Sequence, residues 1–172
     1  MVRVACLPTL IGIASLSLAS ASGAAPVRAN PPATATAAIM RPLTLQKQAD
    51  MDFAWLGVTT GGTATIDPLT GALSLTGGLV RVGGTPSPAR YAGAASKQTV
   101  VNIRVPNQPV LIQRVGGTET LSVSDFTLDG QDKRSLAQAQ SFTFAVGARL
   151  TVPAGTVEGV YTGEIEVTIQ YP

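Results

Sequence analysis

Histidine is absent from all 172 residues, and the single cysteine, Cys6, sits near the N-terminus. Without these side chains the chain cannot build a Ser-His-Asp or Cys-His catalytic centre. It also lacks the ligand types of zinc and most transition-metal sites. Ser–Lys pairs occur at Ser96-Lys97 and Lys133-Arg134-Ser135, but neither has the S-x-x-K spacing that sets an amine against a hydroxyl on a helix. Charge is scarce too: 13% of residues, against about 25% in an average soluble domain. Net charge is +2, no run of Lys or Arg occurs, and aromatics make up 5%. With neither a basic stripe nor a stacking platform, nucleic-acid binding is not expected. "GVTTGGT" is not followed by the Lys of a P-loop, no G-x-G-x-x-G occurs, and no N-x-S/T sequon exists. These absences predict a protein that is not an enzyme and takes no cofactor or metal.

The N-terminus has the layout of a secretory signal. Arg3 precedes an apolar stretch from Val4 to Leu18, and "ASASGAAP" follows with small-residue cleavage sites after Ala21 or Ala25. At roughly 15 residues the apolar stretch is short for a membrane span, and no later segment is long and apolar enough. The reading is a cleaved signal peptide over residues 1–25, a Pro-rich leader over 26–33 ("PVRANPPA"), and one domain over 34–172. Cys6 leaves with the signal. The exported domain is then held by core packing, without disulfides.

Beyond the leader the dominant signal is period-two alternation of apolar and polar residues, which marks strands with one buried face. "ATAAIM" and "PLTLQK" come first, then "MDFAW" with Met51, Phe53 and Trp55 on one face. "GTATID" and "ALSLTG" are joined by Asp67-Pro68-Leu69-Thr70-Gly71, a hairpin loop by its turn chemistry. "QTVVNIRV" places Thr99, Val101, Ile103 and Val105 together, and "VLIQRV" reads as an edge strand or loop. In "ETLSVSDFTL" the apolar phase slips between Val123 and Phe126, which predicts a β-bulge near Ser124–Asp125. "SFTFAVGARLTV" turns Phe142, Phe144, Val146, Ala148, Leu150 and Val152 inward. The Gly pairs 61–62, 77–78, 83–84 and 116–117 read as turns, and residues 129–140 as a loop. The sum predicts an all-β, antiparallel immunoglobulin-like β-sandwich.

The strongest alternation lies at the C-terminus, in "GVYTGEIEVTIQYP". Gly159, Tyr161, Gly163, Ile165, Val167, Ile169 and Tyr171 define an inward face and a candidate strand-pairing edge. Glu164 and Glu166 fall on the other face and read as solvated charges. Asp125, Asp129 and Asp132 surround Gly130 but lack the spacing and terminal Glu of a calcium loop.

Ile39-x-x-Pro42-Leu43-x-Leu45-x-Lys47-x-x-Asp50-Met51-x-Phe53, then "GTATIDPLTG", "SFTFAVGARLTV" and "GVYTGEIEVTIQY", resemble the domain-of-unknown-function 4402 family of secreted bacterial proteins. Ala54 stands where that pattern usually has Gly, which predicts an altered turn. The family has no assigned activity. More weakly, the tail resembles chaperone–usher pilin subunits: Tyr171 is penultimate, and Gly159 lies fourteen residues from the end. The pilin disulfide is absent. That resemblance implies a last strand bordering a groove, filled first by a periplasmic chaperone and later by another subunit's N-terminal segment. The segment available here is "TATAAIM", with Thr34, Thr36, Ala38, Ile39 and Met40 as the candidate partner strand, supplied by the same chain or by a second copy.

The functional expectation is an exported, non-enzymatic structural or adhesive surface protein, a pilin-like subunit pairing with copies of itself and with a periplasmic chaperone. It would be secreted, periplasmic or at the cell surface. The alternative is a monomeric periplasmic or secreted binding module for carbohydrate or a small ligand. Such a module needs a concave site with grouped aromatics, whereas Trp55, Tyr91, Tyr161 and Tyr171 are scattered along the chain, Trp55 on an apparent core face.

Overall fold

The computed structural model describes residues 27–138 and 140–172, so the signal-peptide expectation over residues 1–25 lies outside it. Two units divide the chain, 1–38 and 39–172. The described residues of the first, 27–38, contain no strand and are exposed. The second is all-β. Its strands are β1 (Thr44–Ala49), β2 (Trp55–Ile66), β3 (Leu73–Gly83), β4 (Ala89–Ala94), β5 (Thr99–Arg104) and β6 (Val110–Arg114). They continue with β7 (Thr120–Leu128), β8 (Lys133–Leu136), β9 (Ser141–Val152), β10 (Tyr161–Thr162) and β11 (Thr168–Gln170). Every pairing is antiparallel.

β9 organises the larger sheet. One of its edges pairs β7; the other takes β4 along residues 141–146 and β2 along 149–152. Gly147 lies at that fork, where a Cβ would come 2.2 Å from the Ile66 carbonyl oxygen and 2.8 Å from the Pro68 ring. Only glycine admits so close a backbone. β1 continues the sheet beyond β4, and β6 and β10 beyond β7. The smaller sheet has β5 at its centre, flanked by β8 and β11.

Between the layers, Tyr91, Phe144 and Val146 of the larger sheet meet Ile103 and Ile169 of the smaller. Tyr91 and Phe144 stack with ring centroids 5.2 Å apart. A second cluster (Ala64, Leu79, Val123, Ala148 and Leu150 among its members) fills the curl between the β2–β3 hairpin and β6, β7 and β9. A third, Ala95, Val101 and Leu136, closes the far end. Each fully buried side chain of Val, Leu, Ile or Phe size contributes roughly 1.5–3 kcal/mol, so the core replaces what disulfides would supply.

Several expectations hold in detail. The register of β7 slips between Ser124 and Thr127, and Asp125 takes φ 51, so Leu121 and Val123 face the core before the bulge and Phe126 and Leu128 after it. The β2–β3 turn is held by Asp67, whose Oδ1 accepts from Leu69 N (2.9 Å), Thr70 N (2.7 Å) and Thr70 Oγ1 (2.9 Å). Gly71 there has φ 72.

Others need correction. No strand forms over 35–40, where only Ile39 and Met40 are large and apolar. Two Gly pairs expected as turns lie inside strands: Thr59–Gly61 bulge against Gly78, and a Cβ on Gly62 would sit 2.1 Å from Thr76 O. Those glycines let the hairpin backbones approach at a bend. Part of the 129–140 loop is β8, whose only apolar residue in a strand is Leu136. The ladder to β5 and the Arg134–Asp129 ion pair at 2.6 Å hold it. Neither cause shows in its own periodicity. "MDFAW" is not a strand either. Asp52 makes one bridge to Ser87, and Ala54 takes φ 63, turning Trp55 out of the core.

Candidate functional site

The C-terminal segment keeps its predicted inward face at Tyr161 and from Ile165 onward, but Gly159 and Gly163, expected inward, are exposed, and the predicted continuity is lost. Tyr161, Ile165, Val167, Ile169 and Tyr171 are half-buried, while Thr162, Glu164, Glu166, Thr168 and Gln170 are exposed. Its backbone pairs twice, with different sheets. Tyr161 and Thr162 lie against Arg114 and Gln113 of β6; Thr168 to Gln170 lie against Arg104 to Asn102 of β5. Residues 163–167 cross from one sheet to the other and belong to neither ladder. The side chains consequently join all three clusters: Tyr161 the second, Val167 and Ile169 the interlayer one, Ile169 and Tyr171 the third.

Both ends of this seam are tied. Tyr171 donates its hydroxyl to Arg41 O at 2.7 Å and accepts from Ser96 N at 2.9 Å. Arg41 N in turn donates to Ser96 Oγ at 2.6 Å. At the other end, Tyr161 donates to Val157 O at 2.7 Å, and Val115 N donates to Val160 O at 2.8 Å. Gly159 is exposed, and a Cβ there would come 2.8 Å from Arg114 Cδ. Gly163 is exposed too, and a Cβ would meet Ile112 at 2.7 Å, so both glycines let the chain lie close against β6. The Arg114 guanidinium hydrogen-bonds Glu119 at 2.7 and 3.1 Å and holds that carboxyl down to about 2.

Within the chain the candidate partner strand does not form. Thr34, Thr36, Ala38, Ile39 and Met40 lie outside every strand and are exposed, Ile39 by 99%. β5 and β6 take its place beside the C-terminal segment.

A feature not legible in the sequence adjoins the start of the seam. A cleft of about 680 Å³ opens between the first half of β2 and residues 156–161. Phe53, Leu56, Ile112, Leu121, Leu150, Val152 and Tyr161 line it, with Trp55 at the mouth and Asp52 and Glu158 among its polar residues. Of the aromatics scattered in sequence, Trp55 and Tyr161 meet here with Phe53, while Tyr91 and Tyr171 lie elsewhere. The local cause is Ala54, whose φ of 63 breaks the extended alternation between Phe53 and Trp55. Two of the three aspartates around Gly130 are in ion pairs. Asp125 pairs with Arg149 at 2.6 Å and Asp129 with Arg134, so the three aspartates do not converge. Among the described residues no group of three or more acidic, His or Cys side chains could hold a metal ion. No helix among them is long and apolar enough to cross a membrane.

These features define the class: an all-β, antiparallel sandwich of two sheets, with its C-terminal segment paired to both. Within it the chain belongs to the domain of unknown function DUF4402 family, whose model matches residues 43–171. No curated protein and no solved structure matches the chain.

Proposed function

We propose that this chain is an exported, non-enzymatic structural or adhesive surface protein, a pilin-like subunit that joins copies of itself by strand pairing. The observation that carries the reading is the crossing stretch 163–167, where alternating side chains still face inward but the backbone lies outside both ladders. A strand laid there would gain main-chain hydrogen bonds for affinity and pockets at alternate side chains for register. Exposed edges of this kind invite pairing with another chain, so a periplasmic chaperone would cover the same stretch before assembly. The exposed residues 34–40, free of any strand, are the donor available in a second copy.

Light scattering on the chain starting at Pro26, with and without residues 34–40, tests this. Polymers that vanish on deletion and return with a peptide of residues 34–40 are expected. A stable monomer at all concentrations, with no response to the peptide, would contradict it. That outcome would favour a monomeric secreted binding module, a reading supported by Phe53, Trp55 and Tyr161 lining one cleft.

A further inference from the structure

The cleft beside β2 is built around a tryptophan that the fold holds away from the core. Trp55 is 71% exposed, close in sequence to Phe53, which packs into the core. Its outward setting comes from Ala54, whose φ of 63 an L-residue adopts only against steric resistance. The surroundings over-determine that conformation. Asp52 Oδ1 accepts from Ala54 N at 2.7 Å, and Asp52 itself is fixed by two backbone bonds to Ser87, each 2.9 Å. On the facing strand, a Cβ on Gly83 would strike the indole at 2.8 Å, and Gly84 lies against Ala54 with φ 76. Backbone strain kept in place by capping and by glycine clearance is the kind that accompanies binding sites.

The chemistry of the cleft restricts what could enter it. Its floor is apolar, and its charged residues are the carboxylates Asp52 and Glu158, with no Lys or Arg in the lining. Carboxylates accept hydrogen bonds and offer no donors. An apolar strand seated here would supply few side-chain donors to them; an anionic ligand would be repelled. A ligand with a flat C–H face for the exposed indole and many hydroxyl donors for the carboxylates satisfies both demands. The volume, about 680 Å³, lies within the range of small-ligand sites, roughly 300–1,000 Å³.

We propose that this cleft is a binding site for a neutral glycan, with a pyranose ring on Trp55 and its hydroxyls donating to Asp52 and Glu158. The site does not depend on the polymer reading, because none of its residues belongs to the crossing stretch 163–167.

Trp55 is the only tryptophan, so intrinsic fluorescence reports on this site alone. The full chain is titrated with cellohexaose, maltohexaose, an oligogalacturonate and a peptide of residues 34–40. The expected result is a saturable blue shift with at least one neutral hexaose and none with the oligogalacturonate. By calorimetry, Trp55→Ala should weaken that binding by at least about tenfold with unchanged melting, and Glu158→Ala by several-fold. Two results overturn the proposal: no saturable change with either neutral hexaose, or saturation by the peptide alone. The second would make the cleft a strand-docking groove.

Discussion

β9 and the C-terminal segment carry the same written pattern and end in different circumstances. Along β9 every second residue from Phe142 to Val152 faces inward, and the strand has partners along both edges. Along the C-terminal segment the same alternation sorts Ile165, Val167 and Ile169 from Glu164, Glu166 and Thr168, yet only its two ends are in ladders. Alternation specifies which face of a chain is wet. It says nothing about which backbone lies alongside. β9 is therefore the scaffold, and the C-terminal segment is a seam between sheets.

The largest effects should separate these two regions. Phe144→Ala in β9 is expected to cost about 3–5 kcal/mol, since the ring is buried and stacked on Tyr91. Val167→Ala, half-buried on the seam, should cost about 1–2 kcal/mol. Urea unfolding of both variants checks this, and equal costs would erase the distinction. Next comes the tie at the far end. Tyr171→Phe removes the bonds to Arg41 O and Ser96 N, and a loss of about 1–3 kcal/mol is expected at roughly 0.5–1.5 per bond.

How much of the fold and the cleft is legible in the sequence is a matter of range. The bulge at Asp125, the Asp67 turn and the inward set of β9 are local, so phase and turn chemistry reveal them. β8 is hidden because its stability comes from β5 and from the Arg134–Asp129 pair, both outside its own pattern. The cleft is hidden for a different reason. A single positive φ at Ala54 overrides the alternation of Met51, Phe53 and Trp55, and an Ala does not announce it as a Gly would.

A smaller effect concerns pH at the seam's beginning. Arg114 depresses the Glu119 pKa to about 2 in the folded chain, against about 4.3 in an unfolded one. A lowered folded pKa means that stability is fully present above the unfolded value and is lost as pH falls from there toward 2. Acid titration of the melting temperature should show this loss, and Glu119→Gln should flatten it in that window. No difference between the two profiles would mean that the pair contributes nothing. Smallest of all should be Glu164→Gln with Glu166→Gln. Both side chains are on the wet face, and within about 0.5 kcal/mol of the parent is expected by thermal melting.

The most direct test is residue-resolved amide hydrogen exchange on the chain kept monomeric. Glu164, Ile165 and Glu166 should exchange far faster than Phe144, Ala145 and Val146, although both stretches present inward apolar side chains. Adding the peptide of residues 34–40 should slow the first set and leave the second unchanged. Protection of residues 164–166 equal to that of β9 in the free monomer would show that the seam is already paired, and would contradict the account.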